Sequence, residues 1–245
     1  MTPGALYAAI EATWPPASRR RLGPWTIRDG QGGGKRVSSA TAEAPVTAGD
    51  LALLEQAAAG LGQDPLVMIR EGEEALDALL EAAGYEIVDP VLILTAPAAE
   101  LASEAPPPIS AFTIWPPLSI MEELWEEGGI GPARRAVMAR AAGPKTAVLG
   151  RSNDRAAGVA FVAIHGKTAF CHAVEVTQRQ RRQKTACHMM RQAAIWAQDQ
   201  GADTVAVLVT EANAGARALY ASLGMQVVGH YHYRMKKAAR GRSSS

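Results

Sequence analysis

Four cations, Arg179, Arg181, Arg182 and Lys184, crowd the stretch where a strand-forming run over 168–176 gives way to a helix-forming run from about 184 to 200. Positive side chains at a helix N-terminus face the positive end of the helix dipole, at a cost of roughly 0.3 to 1 kcal/mol each when nothing compensates. An anion resting on the free N–H groups of the first turn reverses that sign, and strand-to-helix junctions are where phosphate sites recur. Charge alone leaves a solvated surface run equally open. Other chemistry-bearing groups are fewer. Cys171 and Cys187 stand in no CxxC or Cys/His spacing and read as small buried hydrophobes. His230 and His232 share a strand face without a third ligand in view, so no metal site is expected. The glycine-rich GQGGG at 30–34 lies between two short strand patterns with no helix behind it, and reads as a flexible hairpin rather than a phosphate loop.

The surrounding chain bounds what these groups can serve. A net charge of +1 with 48% hydrophobic and 20% charged residues argues against a protein that coats nucleic acid, so a charge-based function must be local. Two cysteines are too few for a secreted disulfide scaffold. No signal-like start and no apolar run of membrane-spanning length is visible, so a cytoplasmic protein without membrane contact is expected. Homodimerisation is left open, and the tail over 238–245 is expected to fray.

The elements that must position the basic run follow from periodicity. TVAVLVT at 204–210 is a short β-branched run, as in a buried parallel strand. It is followed by a helix at 214–223 that places Ala216, Leu219, Tyr220 and Leu223 on one face, by Gly224 as a stop, and by a strand at 226–235. Shifting back by 140 positions sets 206–210 on 66–70, and Glu211, Ala218, Leu219, Gly224 and Val228 on the identical Glu71, Ala78, Leu79, Gly84 and Val88. The ungapped register points to an internal duplication, with a boundary in the proline-broken stretch 96–108. Domains are therefore expected at 1–105 and 106–237. The first half shows a helix at 5–13 and strands at 25–28 and 36–41. The second shows helices at 119–127 and 133–141, strands at 146–151, 158–165 and 168–176, and the long helix, with Ala186, Met189, Met190, Ala193 and Ala197 toward the sheet. The expected fold is mixed α/β, a partly antiparallel sheet flanked by helices.

Two motifs carry a resemblance. Arg181, Arg182, Gln183, Lys184, Thr185 and Ala186, and then Asn213, Ala216, Leu219, Tyr220, Gly224 and Met225, are similar to the Arg/Gln-x-x-Gly-x-Gly/Ala and Asn-x-x-Ala-x-x-Leu-Tyr-x-x-x-Gly-Phe signatures of the GNAT superfamily of N-acetyltransferases. The second match is close; in the first, Lys184 replaces a glycine. If residue 184 has helical angles, that glycine is dispensable for the turn, and Lys184 either turns aside or sets its ammonium on a phosphate oxygen.

The resemblance implies the GNAT acyl-CoA N-acyltransferase fold, duplicated, with the second half binding acetyl-coenzyme A as co-substrate and an amine as acceptor. It implies pyrophosphate contact by the backbone of residues 181 to 186 and contact to the thioester oxygen by the strand around Val174 and Val176. It implies Tyr220 as general acid toward the coenzyme sulfur, with a packed core tyrosine as the plain alternative. Asn213 either caps its helix or binds the cofactor arm. Glu175 is the candidate base, or a solvated strand-end acid; His172 is the other strand candidate, or simply packed. The positions matching 181–186 at the 140-residue offset, TAEAPV at 41–46, hold no cation or glycine, so the first half is expected to be a degenerate unit that shapes structure. The alternative function is a non-catalytic protein of the same fold that holds an anionic ligand.

Overall fold

The computed structural model describes residues 2–236, so the tail expected to fray lies outside the described residues. In chain order the helices are α1 Pro3–Thr13, α2 Lys35–Ser38, α3 Asp50–Gly60, α4 Glu74–Ala82, α5 Ala98–Ala102, α6 Ser119–Glu127, α7 Pro132–Arg140, α8 Thr185–Asp199 and α9 Ala214–Ser222. The strands are β1 Ser18–Leu22, β2 Trp25–Asp29, β3 Thr41–Ala42, β4 Leu66–Arg70, β5 Glu86–Pro97, β6 Ala111–Ile114, β7 Lys145–Ser152, β8 Arg155–His165, β9 Thr168–Val176, β10 Thr204–Thr210 and β11 Gln226–Met235. Two compact units form, one of the described residues up to Pro15 with Leu92–Gly229, the other of Pro16–Val91 with the described residues from His230 onward. This division differs from consecutive domains at 1–105 and 106–237, because the chain passes from one unit to the other inside β5 and inside β11.

In the first unit the strands lie in the order β5, β10, β9, β8, β7, β6. β10 runs parallel to β9, while β9, β8, β7 and β6 are antiparallel to one another. β8 is buried along nearly its whole length, which its continuous apolar GVAFVAI predicts for a strand covered on both faces. α8 lies on one face with Met189, Met190, Ala193, Ala194 and Ala197 in the core cluster, and Ala186, expected among them, is half-buried. Gly150 on β7 fixes how closely α8 approaches. A Cβ there would stand 2.5 Å from Met189 Sδ and 2.8 Å from Thr185 Cγ2, so the first turn of α8 rests directly on β7 backbone.

The second unit carries the antiparallel sheet β1, β2, β3 and, separately, β4 paired antiparallel with β11 from Tyr231 to Met235. Trp25, Leu54, Val67 and Leu80 are among its fully closed core residues. Arg234 is buried because Asp77 accepts from its Nε at 2.6 Å and from its Nη2 at 3.1 Å. His232, weighed as a metal ligand, instead lies 2.8 Å from Asp77 Oδ1. Two expectations change in this unit. The strand expected at 36–41 is the short helix α2 followed by β3, so GQGGG leads into a helix and is not a hairpin turn. β1 was not expected at all, since its SRRRL lacks the apolar alternation that marks a half-buried strand, and its residues are mostly exposed.

The 140-residue offset is kept in the elements themselves. α4 spans Glu74–Ala82 and α9 spans Ala214–Ser222, each of 9 residues, and the following Gly84 and Gly224 take φ of 81° and 75°. That left-handed angle is the one glycine adopts without strain at a helix end. Among the described residues no helix is long and apolar enough to cross a membrane.

Candidate functional site

The site begins with an irregularity in β9. Val159 pairs with Glu175 and Phe161 with His172, so β9 spends an additional residue opposite Ala160, and Ala173 takes a left-handed φ of 50°. Trp125 of α6 holds this bulge, its buried indole N–H donating to Ala173 O at 2.9 Å. On the other edge of β9 the ladder to β10 runs from Thr168 opposite Thr204 to Cys171 opposite Val207. Both strands continue, to Val176 and to Thr210, without further pairing to each other among the described residues.

The parity of β9 decides which backbone groups face that opening. Thr177 N donates to Ala157 O at 2.9 Å, so 177 and 157 form a hydrogen-bonded pair and, two residues back, so do Glu175 and Val159. The N–H and C=O groups of Val174 and Val176 therefore point away from β8, toward the side that β10 leaves unpaired. Arg181 confirms the direction, its Nε donating to Val176 O at 3.4 Å.

Beyond β9 the chain makes a 3-10 turn at Gln178–Gln180, and an extended Arg181 caps it. Arg182 and Lys184 then take φ of 62° and 60°, and Lys184 is the left-handed N-cap of α8. The turn is thus made without the motif's glycine, but through the left-handed angle that glycine adopts without strain, not through helical angles. Lys184 holds a conformation that costs an L-residue about 1 to 2 kcal/mol. Lys184→Gly is expected to raise stability by roughly 0.5 to 1 kcal/mol after the larger backbone entropy of unfolded glycine is counted, read as the denaturant midpoint. A lower midpoint would mean that the lysine side chain makes contacts worth more than the strain.

The β7–β8 turn braces this loop. Gln183 Oε1 accepts from Asn153 Nδ2 at 2.8 Å and from Ser152 Oγ, so the Gln183 side-chain oxygen is committed to the turn. Thr185, first residue of α8, is buried with its hydroxyl lacking any hydrogen-bond partner among the described residues. Asn213 accepts from Ala216 N at 3.0 Å, which commits its side-chain oxygen to capping α9.

A cleft of about 330 Å³ opens beside the loop, lined by Leu124, Glu127 and Gly128 of the α6 end, by Glu175 to Thr177, and by Gln178, Arg179 and Arg181. Gly128 lets Glu175 into this space, since a Cβ at 128 would stand 2.8 Å from Glu175 Cγ. Burial pushes the Glu175 carboxyl above its ordinary range, and the charges of Arg181 and Arg134 pull it part of the way back. Tyr220 does not line the cleft. Its ring is 5% exposed, and burial, together with Cys171 and Glu175, holds its hydroxyl well above the ordinary phenol value. Glu175 and Tyr220 therefore sense each other.

The remaining candidates fall away. His172 is 4% exposed, lies 3.0 Å from Thr13 Oγ1 and stacks on Phe170 at 8°, so it is a packed side chain. Burial pushes the Cys171 thiol up to about 12, which keeps it protonated and inert. Cys187 is only half-buried, in the first turn of α8, against the expectation of burial. Among the described residues no group of three His, Cys, Asp or Glu is placed to hold a metal. Sequence reasoning missed Trp125, Ala173, Glu127 and Gly128. Only the last gave a signal, a Gly-Gly pair closing an acidic helix.

Comparison with known proteins bears on this arrangement. Residues 114–225, from β6 to the residue before β11, match the model of the acetyltransferase (GNAT) family. Over 236 residues the chain is 25% identical to a Bacillus subtilis (strain 168) protein named uncharacterized N-acetyltransferase YobR, covering 92% of this chain and 95% of that one. A GCN5-related N-acetyltransferase from Kribbella flavida superposes with a TM-score of 0.70 at 18% identity, over 98% of this chain and 97% of that chain. A tandem GNAT protein from the clavulanic acid biosynthesis pathway superposes with a TM-score of 0.58 at 13% identity, over 91% and 84% of the two chains. The two structural likenesses are likenesses of fold.

Proposed function

We propose that this chain, an N-acetyltransferase of the GNAT superfamily by its residues 114–225, moves acetyl from acetyl-coenzyme A to a primary amine by direct attack in a ternary complex. The observation that carries the reading is the stretch of β9 beyond Cys171 that is not paired to β10, which leaves the backbone of Val174 and Val176 facing the side that β10 leaves open, just before the chain turns into α8. The residues fit the donor. The free N–H groups of the α8 first turn, the unpartnered Thr185 hydroxyl and the Arg181 guanidinium make a diphosphate cradle, with Arg182, Gln183, Lys184 and Ala186 completing the loop and helix start. Acetyl-coenzyme A supplies the activated acyl group. Val174 N–H is aimed to stabilise charge on the thioester oxygen, Glu175 takes the ammonium proton, and Tyr220 O–H donates to the departing sulfur.

Arg181→Ala is expected to weaken acetyl-coenzyme A binding by about ten- to a hundredfold, the size of one charge-assisted phosphate contact, and to flatten the salt dependence of that binding. Calorimetric titration at two ionic strengths reads both. An unchanged dissociation constant would return the basic run to a solvated surface. The left-handed Lys184 in the glycine position favours the second reading, a non-catalytic anion binder. Thiol release on mixing acetyl-coenzyme A with a panel of amines decides between the two.

We also propose that the first half descends from a duplication and lost its cofactor site. β3 and a loop stand at 41–46 where α8 and its basic turn would be required, while α4 and the glycine after it keep the pattern.

A further inference from the structure

We infer that Trp125 is a positioning residue for acyl transfer, acting through the peptide between Ala173 and Val174 to aim and strengthen the Val174 N–H. The inference rests on the transferase reading above and deepens it, since it names what holds the group proposed to meet the thioester oxygen. The indole N–H of Trp125 donates to Ala173 O at 2.9 Å, and the residue is fully buried. Ala173 O and Val174 N–H belong to one amide. A trans peptide is planar with its N–H opposite to its C=O, so a donor that fixes the oxygen fixes the direction of the N–H as well. The same bond draws electron density onto the oxygen and makes the N–H the stronger donor.

This amide needs holding. Ala173 sits at a φ of 50°, a strained angle for an L-residue, at the point where β9 carries one residue more than β8. Strain of this kind persists only where the surroundings impose it. α6 meets β9 on both sides of Val174. Trp125 takes the carbonyl before it, and Gly128, where a Cβ would stand 2.8 Å from Glu175 Cγ, lets the helix close on the residue after it. A buried indole N–H requires an acceptor in any protein. The acceptor here is the carbonyl of the very amide whose N–H faces the thioester, which separates Trp125 from an ordinary packed tryptophan.

The test reads the donor directly, through the infrared carbonyl band of bound acetyl-coenzyme A isotope-labelled at its acetyl carbonyl. In Trp125→Phe the bound band is expected to move to higher frequency than in the unaltered protein. Turnover with an amine from the panel is expected to fall about tenfold, while the calorimetric dissociation constant of acetyl-coenzyme A stays within about twofold. Replacing Trp125 with β-(3-benzothienyl)alanine keeps the bicyclic shape and exchanges only the N–H for sulfur. It is expected to give the same three results without the packing loss of the smaller ring. A band that neither variant moves overturns the inference, as does a loss of affinity that matches the loss of turnover, the mark of a residue that only packs. Failure of the unaltered protein to bind acetyl-coenzyme A by calorimetry removes the transferase reading, and the inference falls with it.

Discussion

Tyr220→Phe is expected to turn over about 100-fold more slowly at saturating acetyl-coenzyme A, with little change in the affinity for that substrate. The magnitude is the lower end for a lost general acid, since a thiolate is a tolerable leaving group. The substitution is clean because the ring is buried in the cluster with Met225 and Val209, and phenylalanine fills the same space. The hydroxyl makes no hydrogen bond among the described residues, so its removal leaves no orphaned partner. Burial keeps the phenol protonated across the working pH range, which is the state a donor requires. Steady-state turnover with an amine from the panel checks it. Near-wild-type turnover would make Tyr220 a packing residue and assign proton delivery elsewhere.

Glu175→Gln is expected to move rate and stability in opposite directions. As the base, Glu175 matters most where the acceptor amine is protonated, so the loss is about 100-fold below neutral pH and narrows as the pH approaches that of the free amine. Stability follows from the raised carboxyl. A group whose folded pKa lies above its unfolded value stabilises the fold below the unfolded value and loses that contribution as pH rises through the folded one. At neutral pH the buried carboxylate therefore costs stability, and neutral glutamine removes the cost, less what Arg181 and Arg134 lose as neighbours. The variant should melt higher than the unaltered protein at pH 7, and the difference should vanish near pH 4. Lower melting at pH 7 would mean that the two arginines need the charge more than the cleft resents it.

The two motifs were legible because they reside in side-chain type at fixed spacing. Arg181, Asn213 and Tyr220 stand in the order that the two motifs require, and α8, β10 and α9 follow from apolar periodicity. The opening between β9 and β10 was not legible, because it depends on a register shift at Ala173, and no property of alanine announces a positive φ. The left-handed Lys184 was misread for a related reason. Helix propensity ranks Lys above Gly, but the N-cap lies outside the helix, and there the backbone angle outweighs propensity. β1 escaped because a strand exposed along its length needs no alternation, and the division of units escaped because both passages are made inside continuous strands, where Pro90 and Gly229 stand within a strand pattern and not in a linker.

That passage governs how the protein can be made. α1 belongs to the unit that resumes only at Leu92, and the other unit, begun at Pro16, takes back the chain from His230 onward. During synthesis the first helix leaves the ribosome long before its neighbours exist, and the unit begun at Pro16 lacks its partner for β4 until the final strand is translated. The unit begun at Pro16 cannot close before the chain of the other has been made, as a consecutive domain would. The unit begun at Pro16 closes only once β11 is translated, and β4 stays exposed to mispairing until then.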